Sequence, residues 1–109
     1  MAYDETLAER VRDVLVSEQG VTEKKMFGGL CFLRGGNMAL GIVGEELMVR
    51  VGKDAYEASL ALPHARKMDF TGREMRGMVY VGTDGIEFDA DLAAWVERGL
   101  CFARSLPDK

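Results

Sequence analysis

The feature that most constrains the fold is an apolar run over residues 24–43 that is interrupted by pairs of glycines. Gly28 and Gly29 are adjacent, and so are Gly35 and Gly36. Glycine adopts positive φ without a steric penalty, so a glycine pair between apolar segments is typical of a hairpin turn. The run therefore predicts a series of short antiparallel strands.

The first glycine pair has two interpretations. It favours a bulge or a tight turn, because only glycine enters positive φ freely. It would also allow a ligand or a partner backbone to approach closely, which makes Gly28 and Gly29 candidate close-approach glycines. The pair is not a phosphate loop, because the dinucleotide spacing and the Gly-Lys-Ser/Thr ending are both absent.

Side-chain alternation predicts which face each strand presents. The predicted strands cover residues 30–34, 37–43 and 47–51. In the second of them, Met38, Leu40 and Ile42 should share one face, because successive side chains point to opposite sides of a sheet. The three strands are expected to form a meander with one face available to helices.

Three segments have the apolar spacing of helices that pack on a sheet. In the first, one stripe recurs at helical spacing: Leu7, Val11, Val14 and Leu15. Its start is expected at Asp4 or Thr6, and the later helices are expected to be capped by Asp54 and Asp89. Gly99, inside the third, costs up to about 1 kcal/mol relative to alanine and is interpreted as a close crossing.

The order helix, four strands, helix, strand, helix predicts an α+β fold with an antiparallel sheet of about five short strands. The late strand covers residues 78–81, and the stretch over residues 64–77 is predicted to be irregular and basic. Residues 1–109 are expected to form a single domain, since no linker, repeat or low-complexity segment interrupts them.

Charge and hydropathy limit the class of function. The formal net charge is −4, so no overall attraction to nucleic acid or to an anionic membrane is expected. The N-terminus is acidic and lacks the pattern of a signal peptide. The uncharged stretch over residues 35–44 is too short to span a bilayer. We therefore expect a cytoplasmic protein without a membrane association.

The residues that usually carry chemistry are sparse. His64 is the only histidine, and its neighbours offer no metal-ligand or nucleophile spacing. Cys31 and Cys101 both lie in apolar segments and are interpreted as reduced structural thiols, with a redox or disulfide role as the alternative. The seven methionines are interpreted as core residues, with an adaptable binding surface as the alternative. The prediction is a non-enzyme without a metal or a cofactor.

The chain has one local excess of positive charge, although the protein is acidic overall. The candidate partner-binding cations are Lys24, Lys25, Arg66, Lys67, Arg73 and Arg76. The alternative interpretation is a solvated loop whose cations pair with Asp69 and Glu74.

Several short segments resemble the N-terminal domain of TfoX/Sxy proteins. They are Val21-Thr22-Glu23-Lys24-Lys25-Met26-Phe27-Gly28-Gly29, Gly36-Asn37-Met38, Leu47-Met48-Val49-Arg50, Met68-Asp69-Phe70-Thr71-Gly72-Arg73, Met78-Val79-Tyr80-Val81 and Ala93-Ala94-Trp95-Val96. The resemblance implies a compact α+β domain of the kind found in regulators of competence genes. Full-length members carry a second, C-terminal domain and act with the cyclic-AMP receptor protein. This chain resembles the stand-alone version of the domain, and the family supplies no catalytic residues.

The resulting hypothesis is a non-enzymatic regulatory domain that acts through a protein partner such as a transcription factor. One alternative is direct nucleic-acid binding through the local basic patch. Another is a small-ligand or enzymatic role near Gly28, Gly29 and Cys31. The sequence leaves monomer and homodimer open, because an exposed strand edge could pair with a second copy.

Overall fold

The computed structural model describes residues 3–26, 28–70 and 73–108, and for residues 68–70 and 73–76 it describes the backbone alone. The helices in this part of the chain are α1 (Glu5–Leu15), α2 (Lys53–Leu60) and α3 (Asp89–Arg104). The strands are β1 (Val21–Met26), β2 (Gly29–Arg34), β3 (Asn37–Val43), β4 (Glu46–Arg50), β5 (Ala65–Phe70) and β6 (Arg73–Val81). They form one sheet in the order β1-β2-β3-β4-β6-β5, with every neighbouring pair antiparallel.

The predicted α+β fold is confirmed, with six strands where about five were expected. The additional strand, β5, lies in the stretch predicted to be irregular. Residues 65–70 contain no β-branched side chain, so local propensity did not indicate a strand there. They are extended because they pair with β6, with Ala65 opposite Val81 and Arg66 opposite Tyr80.

The glycine turns behave as the sequence predicts. Gly35 and Gly36 have φ values of 62° and 82° and join β2 to β3, which is the backbone geometry of a two-residue hairpin. Gly28 has a φ of 74° between β1 and β2. Both turns therefore depend on positive φ, which glycine adopts at little cost.

Helix starts were predicted correctly at only one of three places. The carboxylate of Asp4 accepts a hydrogen bond from the Thr6 N–H at 2.8 Å, which caps α1. Asp54 and Asp89 lie inside the first turns of α2 and α3, and the cap positions are Gly52 and Phe88 without a side-chain cap. The prediction of caps at the two aspartates was therefore wrong, although both carboxylates still favour the positive end of their helix.

The main core lies between the sheet and all three helices. One row of buried side chains crosses four strands: Phe32, Leu40, Val49 and Val79. Helix α1 contributes Val11 to this core, α2 contributes Tyr56, and α3 contributes Trp95 and Val96. A Cβ at Gly99 would collide with the carbonyl oxygen of Ala39, so the predicted close crossing of α3 over the sheet is confirmed.

The opposite side of the sheet has a smaller apolar cluster, to which only strands contribute. Cys31, Met48 and Met78 are its buried members. Met38 packs here, so the prediction that it shares a face with Leu40 and Ile42 was wrong. The register shifts within the β2–β3 pair: Leu33 is paired with Met38, whereas the preceding residue, Phe32, is paired with Leu40. Ala39 is the extra residue of this bulge, and it reverses the alternation.

None of the helices in the described ranges is long and apolar enough to cross a membrane.

Candidate functional site

The cations predicted to form one patch lie at opposite edges of the sheet. Lys24 and Lys25 are on β1, whereas Arg66 and Lys67 are on β5. Five strand steps of about 4.8 Å each separate these edges. The backbones of Arg73 and Arg76 belong to β6, but their side chains lie outside the described residues.

Arg66 is engaged within the fold. Its guanidinium donates two hydrogen bonds to the carboxylate of Glu46, at 2.8 and 2.7 Å, and lies 5.6 Å from the ring centre of Tyr80. The hydrogen bonds from Arg66 lower the pKa of Glu46. The pairing predicted for the basic stretch, with Asp69 and Glu74, involves side chains outside the described residues. For Arg66 the partner is instead Glu46, on the other side of β6.

The glycine pair at Gly28 and Gly29 serves the sheet itself. A Cβ at Gly29 would collide with the carbonyl oxygen of Ile42, so the backbone that approaches closely belongs to β3 of the same chain. At Gly28 a Cβ would meet no atom within 4 Å, and the requirement there is the positive φ. The turn interpretation is therefore sufficient for both residues.

The side of the sheet away from the helices presents an apolar surface, which we call the methionine face. Its partly exposed members are Met26, Leu33, Met38, Val43 and Tyr80. They lie over the buried side chains of Cys31, Met48 and Met78. Gly41 makes this packing possible, because a Cβ there would collide with the terminal methyl group of Met48.

Strand register assigns Lys24 to the methionine face and Lys25 to the helix side. Lys24 pairs with Cys31, a buried member of the methionine face, and Lys25 pairs with Leu30 of the main core. Glu23 confirms the alternation, since its carboxylate accepts hydrogen bonds from Arg12 of α1 at 2.8 and 2.9 Å. Two adjacent lysines on one strand therefore present their charges on opposite sides of the sheet.

A cleft of about 1080 Å³ opens where α2 and α3 meet the ends of β4 and β6. We call it the α2–α3 cleft. It is lined by Met38, Arg50, Val51, Gly52, Lys53, Asp54, Ala55, Ala58, Ser59, Leu62, Gly77, Met78, Arg98, Cys101, Phe102 and Ser105. Three of its lining residues are joined by backbone hydrogen bonds: the carbonyl of Gly77 accepts from the N–H groups of Val51 and Gly52, at 2.8 and 3.0 Å.

Two arginines in the α2–α3 cleft rest on aromatic rings. The guanidinium carbon of Arg50 lies 5.0 Å from the ring centre of Phe102. That of Arg98 lies 5.2 Å from the ring of Trp95. Both separations are within the range of cation–π attraction.

The two cysteines have different environments, and both are free thiols. Cys31 is fully buried, and this burial raises its pKa to about 11. Cys101 is exposed on the wall of the α2–α3 cleft, so the prediction of a structural thiol is supported for Cys31 alone. His64 is exposed, and within the described ranges no His, Cys, Asp and Glu side chains group as a metal site would require.

Sequence reasoning missed the contacts that fix the C-terminal end of the chain. The side-chain amide of the buried Asn37 donates a hydrogen bond to the carbonyl of Pro107 at 2.9 Å. Glu18 accepts hydrogen bonds from Arg104 at 2.6 and 3.2 Å and from Arg34 at 3.3 Å. These partners are far apart in the chain, so no local pattern could have indicated them.

Comparison with known proteins identifies one relationship. Residues 13–103 match the family model of the TfoX N-terminal domain. No curated protein and no solved structure matches the chain. The matched range begins within α1 and includes the six described strands, nearly all of α3, the methionine face and the lining of the α2–α3 cleft except Ser105. The chain therefore belongs to the TfoX N-terminal domain family.

Proposed function

We propose that this protein is a non-enzymatic regulatory domain of the cytoplasm that acts by binding a protein partner such as a transcription factor. Membership of the TfoX N-terminal domain family supports a role like that of the competence regulators. The observation that carries the proposal is the methionine face, an apolar sheet surface to which no described helix contributes a packed side chain.

The composition of the methionine face suits protein recognition. Met26 and Met38 are partly exposed there, and methionine adapts its shape to irregular partners because its side chain is unbranched and flexible. Contiguous exposed apolar surface is also the usual mark of an interaction site. Tyr80 adds an aromatic ring, a residue type that is enriched at interfaces.

Charge indicates the chemistry of the partner. Glu46 is the one carboxylate that strand register places on this side among the described side chains, and Arg66 pairs with it. Lys24 lies on the edge strand β1. Arg50, at the end of β4, is opposite Met78 of β6 in the strand register, which places it on the same side of the sheet. The uncompensated charge is thus positive, so the occupant we propose is an apolar segment of a partner protein that carries acidic residues.

The remaining predicted cations keep a secondary place in this proposal. Arg73 and Arg76 lie on the β5–β6 hairpin, where they would add to the attraction for an acidic partner. Lys67 pairs with Val79 of the main core, so register places it on the helix side, where it should contribute little. Lys25 lies on the helix side of β1 and should contribute little.

The test is the fluorescence anisotropy of a labelled promoter duplex, measured with and without the cyclic-AMP receptor protein at about 50 and 200 mM salt. We expect this protein to raise the anisotropy only when the receptor is present. A rise without the receptor that is lost steeply at high salt would instead indicate direct nucleic-acid binding. No rise in either case would contradict a role through this receptor.

Two variants of β1 test the surface itself. Lys24→Glu should weaken partner binding several-fold, because it places a negative charge on the methionine face. Lys25→Glu makes the same charge change one residue away on the helix side, so it should leave binding unchanged. Equal effects of the two variants would contradict docking on the methionine face.

A further inference from the structure

The ion pairs of the described residues leave two arginines without a carboxylate partner. The arginines that form ion pairs are Arg10, Arg12, Arg34, Arg66 and Arg104. Arg50 and Arg98 form none with any described residue, although their side chains are ordered against aromatic rings. Both of these unpaired guanidinium groups line the α2–α3 cleft.

The rest of the cleft is mostly apolar. Leu62 and Ala58 line the α2 wall, Phe102 lines the α3 wall, and Met38 and Met78 come from the sheet. The volume of about 1080 Å³ slightly exceeds the usual range of small-molecule sites, which are typically apolar with a few well-placed polar groups. The cleft can therefore contact an apolar body and offer positive charge beside it.

We propose that the α2–α3 cleft binds a small amphipathic organic acid, with its carboxylate held by Arg50 and Arg98. A guanidinium group matches a carboxylate through two parallel hydrogen bonds, and it remains charged at any physiological pH. Stacking on Phe102 and Trp95 holds these groups in place before the ligand arrives. This limits the entropy that binding must remove.

The electrostatic surroundings of the cleft favour an anion. The start of α2 lines the same cleft, and no side chain caps its first N–H groups at Gly52. These groups and Lys53 add positive potential. Asp54 is the only carboxylate that lines the cleft among the described residues, so the balance there is cationic.

The α2–α3 cleft adjoins the methionine face, because Met38, Met78 and Arg50 belong to both regions. The two proposals still differ in their occupant and in their test. Arg98 is specific to the ligand site and Lys24 to the partner surface, so Arg98→Gln and Lys24→Glu distinguish a failure of ligand binding from a failure of partner binding.

Isothermal titration calorimetry of the intact chain with decanoate tests the proposal. We expect saturable binding of decanoate, with decanol and decylammonium binding at least about tenfold more weakly. An ammonium group accepts no hydrogen bond, and a hydroxyl group has neither the charge nor the second oxygen of a carboxylate. Decyl phosphate tests whether the anchors accept any anion or a carboxylate in particular. Equal binding of decanol and decanoate, or the absence of decanoate binding, would overturn the proposal.

Substitutions in the cleft locate the site. Arg50→Gln and Arg98→Gln should each weaken decanoate binding about tenfold. Arg12→Gln removes an arginine from a surface ion pair on α1 and should leave the affinity unchanged. Ala58→Trp, at an exposed position of α2, should abolish binding by filling the cleft. Unchanged affinity in both arginine variants would contradict the assignment.

The native thiols provide a measurement that needs no substitution. Cys101 is exposed on the cleft wall, so bound decanoate should slow its alkylation by iodoacetamide. Cys31 is buried and should remain unmodified throughout, which makes it an internal reference. If saturating decanoate left the alkylation rate of Cys101 unchanged, the ligand would not occupy this cleft.

Discussion

The two sides of the sheet are built from the same strands but are packed differently. On the helix side, Leu40 and Val49 are fully buried beneath side chains from α3. On the methionine face, Cys31 and Met48 are equally buried, yet strands alone supply the described side chains around them, and Leu33 and Tyr80 remain partly exposed. The helix side therefore carries most of the folding energy, and the methionine face keeps part of its apolar surface exposed.

The two faces differ in the types of residue they carry, as well as in whether helices pack on them. Branched and aromatic side chains with few rotamers dominate the helix side, where they pack at fixed positions. Methionine, which has more rotatable bonds, recurs on the other side at Met26, Met38, Met48 and Met78. Flexible side chains of this kind tolerate substitution and adapt their shape, which is the property on which the proposed partner site depends.

Truncating one leucine on each face should give the largest contrast in stability. Leu40→Ala should lower the free energy of unfolding by about 3 kcal/mol, because it opens a cavity in the main core. Leu33→Ala should cost about 1 kcal/mol, because Leu33 is already partly exposed and solvent can fill the space. Urea denaturation of both variants measures the two values, and equal losses would show that both faces are packed alike.

A pair of glycine variants should give a smaller contrast. Gly99→Ala should cost about 2 kcal/mol, since the new Cβ meets the Ala39 carbonyl and α3 must shift. Gly41→Ala should cost less, because the first atom it meets is the flexible end of Met48. Thermal unfolding followed by circular dichroism compares them. A larger loss for Gly41→Ala would mean that the methionine face is the more rigidly packed side.

The smallest contrast concerns acid sensitivity. The pKa of Glu18 is lowered by its hydrogen bonds with Arg104 and Arg34, and that of Glu46 by its hydrogen bonds with Arg66. A lowered folded-state pKa adds stability that is present above the ordinary value of 4.5 and is lost as the pH falls through the folded-state value.

Glutamine variants divide this acid sensitivity between the two carboxylates. In the Glu18→Gln variant, the loss of stability on acidification should be smaller by about 1 kcal/mol. The native Glu18 carboxylate binds two arginines, and its side chain is only 18% exposed. Glu46→Gln should reduce the loss of stability on acidification by a smaller amount, because the side chain of Glu46 is 35% exposed. Urea titrations between about pH 7 and pH 3 measure how steeply the free energy of unfolding of each variant changes with pH. A steeper change for Glu46→Gln would reverse the expected order.

Local sequence signals predicted the parts of the fold that depend on local physics. The glycine pair at Gly35 and Gly36 predicted the β2–β3 hairpin, because a turn with two positive φ values is set by the turn residues themselves. Gly99 predicted the close approach of α3 for a different reason, because a glycine inside a helix leaves room for a neighbouring backbone, here that of Ala39. Strand β5 was missed, because its extended conformation comes from pairing with β6 and not from its own residues.

The candidate sites were less predictable than the fold. The six predicted cations form two groups in the sequence, but the sheet order places β1 and β5 at opposite edges. The α2–α3 cleft could not be predicted, because Arg50 and Arg98 belong to different elements and nothing between them in the sequence links the two. The bulge at Ala39 likewise moved Met38 to the methionine face against the simple alternation.

The sequence by itself determined the α+β class, the glycine turns, the resemblance to the TfoX N-terminal domain and most of the helical stripes. The exception is Val14, which was predicted on the apolar stripe of α1 but is 36% exposed. The features that the sequence determined depend on residue periodicity and on backbone preferences that act within a few positions of the chain. Tertiary structure alone decided which cations stand together, which arginines lack a carboxylate partner among the described residues, and which sheet face keeps apolar surface exposed. Those outcomes depend on contacts between residues far apart in the chain, and strand order and register fix such contacts only once the sheet has formed.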